Sequence, residues 1–148
     1  MKLLAFETAT EACSVALWID GQVRERFEIA PRRHAELALP WAEALLAEAG
    51  IAKSQLDAVA VGRGPGAFTG VRLAIAIAQG IALALDKPVV PVSTLAALAA
   101  QAQGDRVLAA IDARMGEVYA AAFRREGDAM VAISAETGRR VEEVGRIH

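Results

Sequence analysis

The chain has 148 residues, 55% of them hydrophobic, 5% aromatic and 23% charged, with a formal net charge of −2. This is the composition of an Ala/Leu/Val-rich α/β protein long enough to bury a core, and it excludes a disordered chain. The near-neutral charge gives no general field for RNA or membrane phosphates, so nucleic-acid contact has to be local or made through a partner. The lone Cys13 permits no internal disulfide and points to a cytoplasmic, reducing home.

The N-terminal Met1 to Glu7 turns polar too early to supply the apolar segment of a secretory signal, so no export is expected. Leu3 to Phe6 and Cys13 to Ile19 are short apolar runs that predict strands, and Asp20-Gly21 makes the favoured two-residue turn into a third, Gln22 to Ile29. Pro31 ends this meander. Arg33 to Ala49 carries helix formers and is closed by Gly50, a suitable residue just past a helix C-terminus. Then come a strand over Ala58 to Val61, a Gly-rich loop over Gly62 to Gly66 and a helix from about Thr69 to Leu85. A strand over Val89 to Val92 and a helix from near Ser93 follow. The order β-β-β-α-β-α-β-α is a meander extended by parallel crossover units, the build of the ribonuclease-H-like half of an actin-type (ASKHA) α/β fold.

After that the pattern restarts. Val107 to Ile111 predicts a strand ending in an acid, Asp112, as the first strand ends in Glu7. A Gly turn leads to Glu117 to Phe123, and Gly127-Asp128 leads to Ala129 to Ile133. A repeated meander predicts two similar domains, the first over residues 1–104 and the start of a second, truncated one over 105–148. A lone meander of that size exposes one apolar face, so either the natural chain is longer or another molecule covers it.

Few residues are equipped for substrate chemistry. The turn Glu7-Thr8-Ala9-Thr10-Glu11 sits where an actin-type ATPase cradles phosphate, yet it has no glycine and puts Glu11 where phosphate oxygens would lie. Glu7, Thr8 and Thr10 therefore read as a degenerate nucleotide-site loop. Gly62 to Arg72 runs through Gly64, Pro65 and Gly66 onto a helix N-terminus with Thr69 near the cap. It supports either an anion-binding loop or a tight strand-to-helix connection, and matches neither the Gly-x-Gly-x-x-Gly nor the Walker spacing. His34, His148 and Cys13 have no ligand spacing, so neither a metal nor a cofactor is expected. His34 reads as a capping or surface residue. Arg24, Arg26, Arg32, Arg33 and the Arg139-Arg140 pair read as solvated charges.

The helices carry more information. From Leu73 to Leu85 every position but Gln79 is apolar or Gly, so a helix here has no polar face and is expected to be covered all round. At ~1.5 Å per residue this run spans roughly 20 Å, short of a ~30 Å hydrocarbon core, which predicts a buried helix rather than a membrane anchor. Ala74, Ala78 and Ala82 form one row of small residues, and Ala76, Gly80 and Ala84 another, each suited to close helix approach. The alternation of large and small residues also suits a strand, but length and Ala content favour the helix. The preceding helix has Leu37, Trp41 and Leu45 on one row and only a narrow polar stripe from Glu36 and Glu43. Two such helices hold more apolar surface than one sheet can bury, which predicts a helix-pair interface.

The stretches Glu7 to Trp18, Gly62 to Arg72 (with Gly64, Pro65, Gly66, Thr69, Gly70 and Arg72), Ala78-Gln79-Gly80, Pro91 to Leu95 and Ala109 to Tyr119 together resemble the TsaB (YeaZ) family over nearly the whole chain. The resemblance implies the dimerization subunit of the bacterial complex that places threonylcarbamoyl on the adenosine beside the anticodon of tRNA. Its implied partners are the catalytic, metal- and nucleotide-bearing paralogue TsaD and the ATPase TsaE, with tRNA reached only through the complex and a homodimer formed when the subunit is alone. TsaD has paired metal-binding histidines in the segment that aligns with Ser93 to Leu98. Here those positions are Thr94 and Leu98, which cannot replace them, so no catalytic role carries over. Family interfaces resemble a four-helix bundle, and by position the contacts here are expected from Leu37, Trp41, Leu45, Leu73, Ile77 and Ile81. Two departures stand out: Glu7 replaces the more usual Asp, and family chains continue beyond His148. The alternative is an autonomous actin-fold ATPase or a peptidase-like enzyme.

Overall fold

In a computed structural model of the chain, residues 1–146 are described, so His148 and the end of the expected 105–148 domain lie outside the described residues. Strand alternation sets the first layer. In β1 (Lys2–Glu7) and β2 (Ala12–Ile19), Leu4, Phe6, Cys13, Val15 and Leu17 fall on one face by the two-residue period and are buried. Asp20-Gly21 turns the chain into β3 (Gln22–Ile29), with Ile19 opposite Gln22.

Helix α1 (His34–Ala49) ends on Gly50, whose φ of 69° and ψ of 29° are the left-handed cap that glycine takes at least cost. A 3-10 turn, Lys53–Gln55, leads to β4 (Ala58–Gly62), and α2 (Phe68–Leu85) returns the chain to β5 (Val89–Val92). The sheet order is β3-β2-β1-β4-β5, antiparallel from β3 to β1 and parallel from β1 to β5. Helices α1 and α2 share one core with this sheet, in which Ala38, Ala42, Leu45 and Leu46 of α1 and Ala74, Ala78 and Ala82 of α2 meet Leu4, Phe6, Val15, Leu17, Val59 and Val61. On the opposite face, Val23, Phe27 and Ile29 of β3 and Val90 and Val92 of β5 stand exposed.

Helix α3 (Thr94–Ala100) precedes a second sheet of β6 (Arg106–Arg114), β7 (Glu117–Glu126) and β8 (Ala129–Ala132), with β9 (Thr137–Arg140) also pairing β7. A 3-10 segment, Val141–Arg146, follows. Leu95 and Ala99 of α3 are buried with Ala109, Ala121 and Phe123, so α3 forms the core of this second unit. The chain divides into two compact units, residues 1–63 with 68–92, and residues 64–67 with 93–148. α3 falls in the second of these units because Leu95 and Ala99 are buried with Ala109, Ala121 and Phe123.

The element order and the actin-like α/β topology of the first unit agree with the sequence reading. β9 was not foreseen, because Thr-Gly-Arg-Arg carries no alternation; it forms because Glu117 to Ala120 of β7 offer an open edge. β6 does not end at Ile111. It continues through Asp112 to Arg114 with a register shift, and there Arg114 and Met115 take φ values of 69° and 57°. Each such left-handed non-glycine residue costs on the order of 1 kcal/mol.

Cys13 is fully buried, and burial first, then the Glu28 carboxylate, push its thiol above the ordinary cysteine value. Iodoacetamide at mildly alkaline pH is therefore expected to leave the folded chain unmodified and to alkylate it within minutes in urea. Mass spectrometry reads the difference, and rapid native labelling would contradict the packing of β2.

Candidate functional site

β1 and β4 are parallel neighbours, so their C-terminal ends open side by side, the position at which open α/β sheets place their sites. There the sequence brings Glu7, Thr8, Gly62 and Gly70 together. The Glu7 carboxylate lies over Gly62, so a Cβ there would have to displace it, and a Cβ on Gly70 would collide with the Thr8 carbonyl oxygen. The buried Thr8 hydroxyl donates to the Gly70 carbonyl at 2.6 Å, which locks the turn to the first turn of α2. Ala9 N–H donates to a Glu7 carboxylate oxygen at 3.3 Å, and the Thr10 hydroxyl accepts from Ala12 N–H at 3.2 Å. The Thr8 hydroxyl, the Ala9 N–H and the Thr10 hydroxyl are thus engaged within the fold, and the Glu7 carboxylate faces the turn where a phosphate would need donors.

His34 does neither of the things expected of it. The N-cap Arg33 makes no side-chain cap, and His34 Nε2–H reaches back to the carbonyls of Thr10 and Ala12, at 2.8 and 3.1 Å, so it clamps the same turn. A carbonyl can only accept, which fixes the proton on Nε2. No signal in the sequence marks this contact, because residues 10 and 34 meet only through the β2–β3 meander.

The Gly-rich loop is a tight connection. Its Gly64–Pro65 peptide is cis, Gly64 N–H donates to the Thr94 hydroxyl at 3.2 Å, and Thr94 N–H donates to the Gly64 carbonyl at 3.0 Å. Pro65 and Gly66 are half-buried and Thr69 is exposed, while the Arg72 guanidinium lies 3.6 Å from the centre of the Phe68 ring. Gly64, Pro65 and Gly66 therefore pair with α3, and Thr69, Gly70 and Arg72 belong to the start of α2. Among the described residues no group of three His, Cys, Asp or Glu side chains is placed to hold a metal ion.

The helical face is the larger feature. Ala74, Ala78 and Ala82 are the fully buried row of α2, Ile75, Ile77, Ile81 and Leu85 pack against the core with part of their surface, and the remaining row is open in this chain. Within this chain the helix is not covered all round, because the smallest row fits closest to the strands and the larger residues are left beside and outside it. Leu73, Ile77 and Ile81 are half-buried along its flanks, as are Leu37 and Trp41 on α1. Leu45 is fully buried and supports α1 from beneath, so it presents nothing to a partner. Residues outside the expected contact set are more open: Leu83 is 85% exposed, Leu39 46%, and Ala76, Gly80 and Ala84 form an exposed strip with nothing within 4 Å of a Cβ built on Gly80. Their signal was available in the second row of small residues. By length and composition α2 could also cross a membrane, but its Ala row is engaged with β4 as a crossover helix.

The family described as tRNA N6-adenosine threonylcarbamoyltransferase, TsaD, matches residues 27–147. A TsaB protein of Escherichia coli, named for tRNA threonylcarbamoyladenosine biosynthesis, is 52% identical over 85% of this chain and 56% of its own length. Its counterpart from Buchnera aphidicola of Schizaphis graminum is 32% identical over 99% of this chain and 69% of its own. The solved structure of YeaZ from Pseudomonas aeruginosa superimposes with a TM-score of 0.89 at 50% identity, covering 93% of this chain and 66% of that one. The chain spans about half the length of the first curated relatives, 56% and 55%.

Two glycines on one helix should respond oppositely. Gly80→Ala is expected to stabilise the fold by roughly 0.5–1 kcal/mol, since the position is helical and open. Gly70→Ala is expected to destabilise it by about 1–3 kcal/mol through collision with the Thr8 backbone. Urea unfolding midpoints of the two variants check the sign of each.

Proposed function

The chain belongs to the TsaB (YeaZ) family, and from that premise we propose that it acts in tRNA threonylcarbamoyladenosine biosynthesis as a partner subunit without a catalytic centre of its own. It binds the catalytic TsaD protein, with TsaE as a further member of the assembly, and it self-associates through the same helical surface when TsaD is absent. tRNA is reached through the complex, and a cytoplasmic location accords with the single, buried thiol.

One observation carries this reading. The exposed side of α2, from Leu73 to Leu85, holds Ala76, Gln79, Gly80, Leu83 and Ala84 and no charge, although water reaches most of it. A soluble helix normally turns charges outward, and an apolar outer face of this kind is what a partner helix buries. The exposed Gly80 in mid-helix, costly by itself, keeps space for a neighbouring backbone to approach. The turn at Glu7, closed on itself by hydrogen bonds, supports a subunit role from the other side.

A second reading, an autonomous ATPase or peptidase-like enzyme, draws on the position of Glu7 and Thr8 at the C-terminal ends of parallel strands. Titration calorimetry with Mg-ATP separates the two: the subunit reading expects no heat of binding from the chain alone, and tight binding with turnover would replace it by the enzyme reading.

Leu83→Glu is the cleaner interface variant, because Leu83 is exposed whereas Trp41 and Ile77 also pack against the core. It should fold with an unchanged thermal midpoint and bind TsaD at least ~100-fold more weakly, since an unpaired charge buried at an interface costs several kcal/mol. Undiminished binding by the folded variant in an interferometry titration would refute the helical interface.

A further inference from the structure

The tip of the β6–β7 hairpin is built against its own backbone preference. Arg114 pairs with Glu117, so Met115-Gly116 is a two-residue loop, and Arg114, Met115 and Gly116 have consecutive positive φ values of 69°, 57° and 76°. Loops of this twist strongly prefer Asn or Asp ahead of glycine. The same chain obeys that preference elsewhere: Asp20-Gly21 closes β2–β3, and Gly127-Asp128 closes β7–β8 with glycine taking the positive φ. Only the third turn places a long apolar side chain in the strained position.

That tip is not slack. The Asp112 carboxylate accepts from Arg114 N–H at 2.8 Å, and the Gly116 carbonyl accepts from Val141 N–H at 3.3 Å, which hold the loop from both sides. Met115 is 99% exposed, so the fold draws no packing from it. Strained residues held by their surroundings concentrate where a molecule binds. An unbranched, polarizable thioether is suited to filling an apolar pocket on another protein, and the exposed Arg114 guanidinium beside it is suited to a carboxylate.

We propose that the Arg114-Met115 tip is a recognition knob for a partner protein that presents an apolar pocket with a carboxylate at its rim. Protein is favoured over nucleic acid because Asp112 and Glu117 flank Arg114 while Arg140 lies opposite Glu117, so these four side chains carry no excess positive charge for phosphate, and the most exposed side chain of the tip is the apolar Met115. The inference rests on the partner-subunit reading and adds a second contact, on the second sheet, to the helical one.

The test titrates TsaD with four proteins: the unchanged chain, Met115→Asn, Met115→Leu and Leu83→Glu. Met115→Asn is expected to unfold at the same temperature or higher, because asparagine suits the turn, and to bind about tenfold or more weakly. Met115→Leu is expected to bind within about threefold of the unchanged chain. Unaltered binding by Met115→Asn overturns the knob while leaving the helical interface standing if Leu83→Glu has lost binding. A lower unfolding temperature for Met115→Asn overturns the premise of strain, and failure of the unchanged chain to bind overturns both proposals. Salt-sensitive binding of the isolated chain to tRNA that Met115→Asn abolishes would assign the tip to nucleic acid instead.

Discussion

The structure turns on which row of α2 meets the sheet. A helix with almost no polar residue must choose what to bury, and here the choice goes to Ala74, Ala78 and Ala82, whose small side chains let the helix axis come close to β4. Close approach fixes the rest. Ile77 and Ile81 are left at the flanks, where they meet the core with part of their surface, Leu73 is half-buried, and Ala76, Gly80 and Leu83 are left outside. A helix docked by its larger residues would have stood farther from the strands and shown alanines to water, with little apolar surface left to offer a partner.

The same close approach closes the turn after β1. Because α2 starts tightly against the sheet, Gly70 comes within reach of Thr8, and only a residue without Cβ fits there. The Thr8 hydroxyl then donates to the Gly70 carbonyl, Ala9 N–H turns to Glu7, and His34 holds the carbonyls of Thr10 and Ala12. A turn made rigid by its own hydrogen bonds is a good brace for a helix and a poor cradle for a ligand. The apolar outer face and the braced turn are thus two results of one packing arrangement.

Much of the fold was legible because strand alternation, the Asp20-Gly21 turn and the Gly50 cap are local signals. The first unit followed from them nearly element by element. What was not legible depended on distant partners. β9 is a strand only because β7 has an edge to fill, α3 belongs to the second unit only because Leu95 and Ala99 find β6 and β7, and His34 acts on a turn more than twenty residues before it. For α1 and α2, periodicity gave the helices but could not say which row faces the sheet. Leu45 was therefore placed outside although it is fully buried, and the exposed Leu83 was left out of the expected contacts.

Residue choices that work against local stability carry information of a different kind from those that build the core. Along α2 an alanine at position 80 would suit the helix better than glycine, and at the β6–β7 tip an asparagine at position 115 would suit the turn better than methionine. Neither residue is used by the fold: the space around Gly80 is empty, and Met115 is almost wholly in water. Elsewhere the chain chooses well, with Gly at the left-handed cap of α1 and Asp-Gly in the first hairpin. Local consistency is the rule for a foldable sequence, and its exceptions gather where something outside the fold sets the choice. On that ground Gly80 and Met115 fit the two contacts proposed above, one open to a neighbouring backbone and one projecting from a hairpin tip.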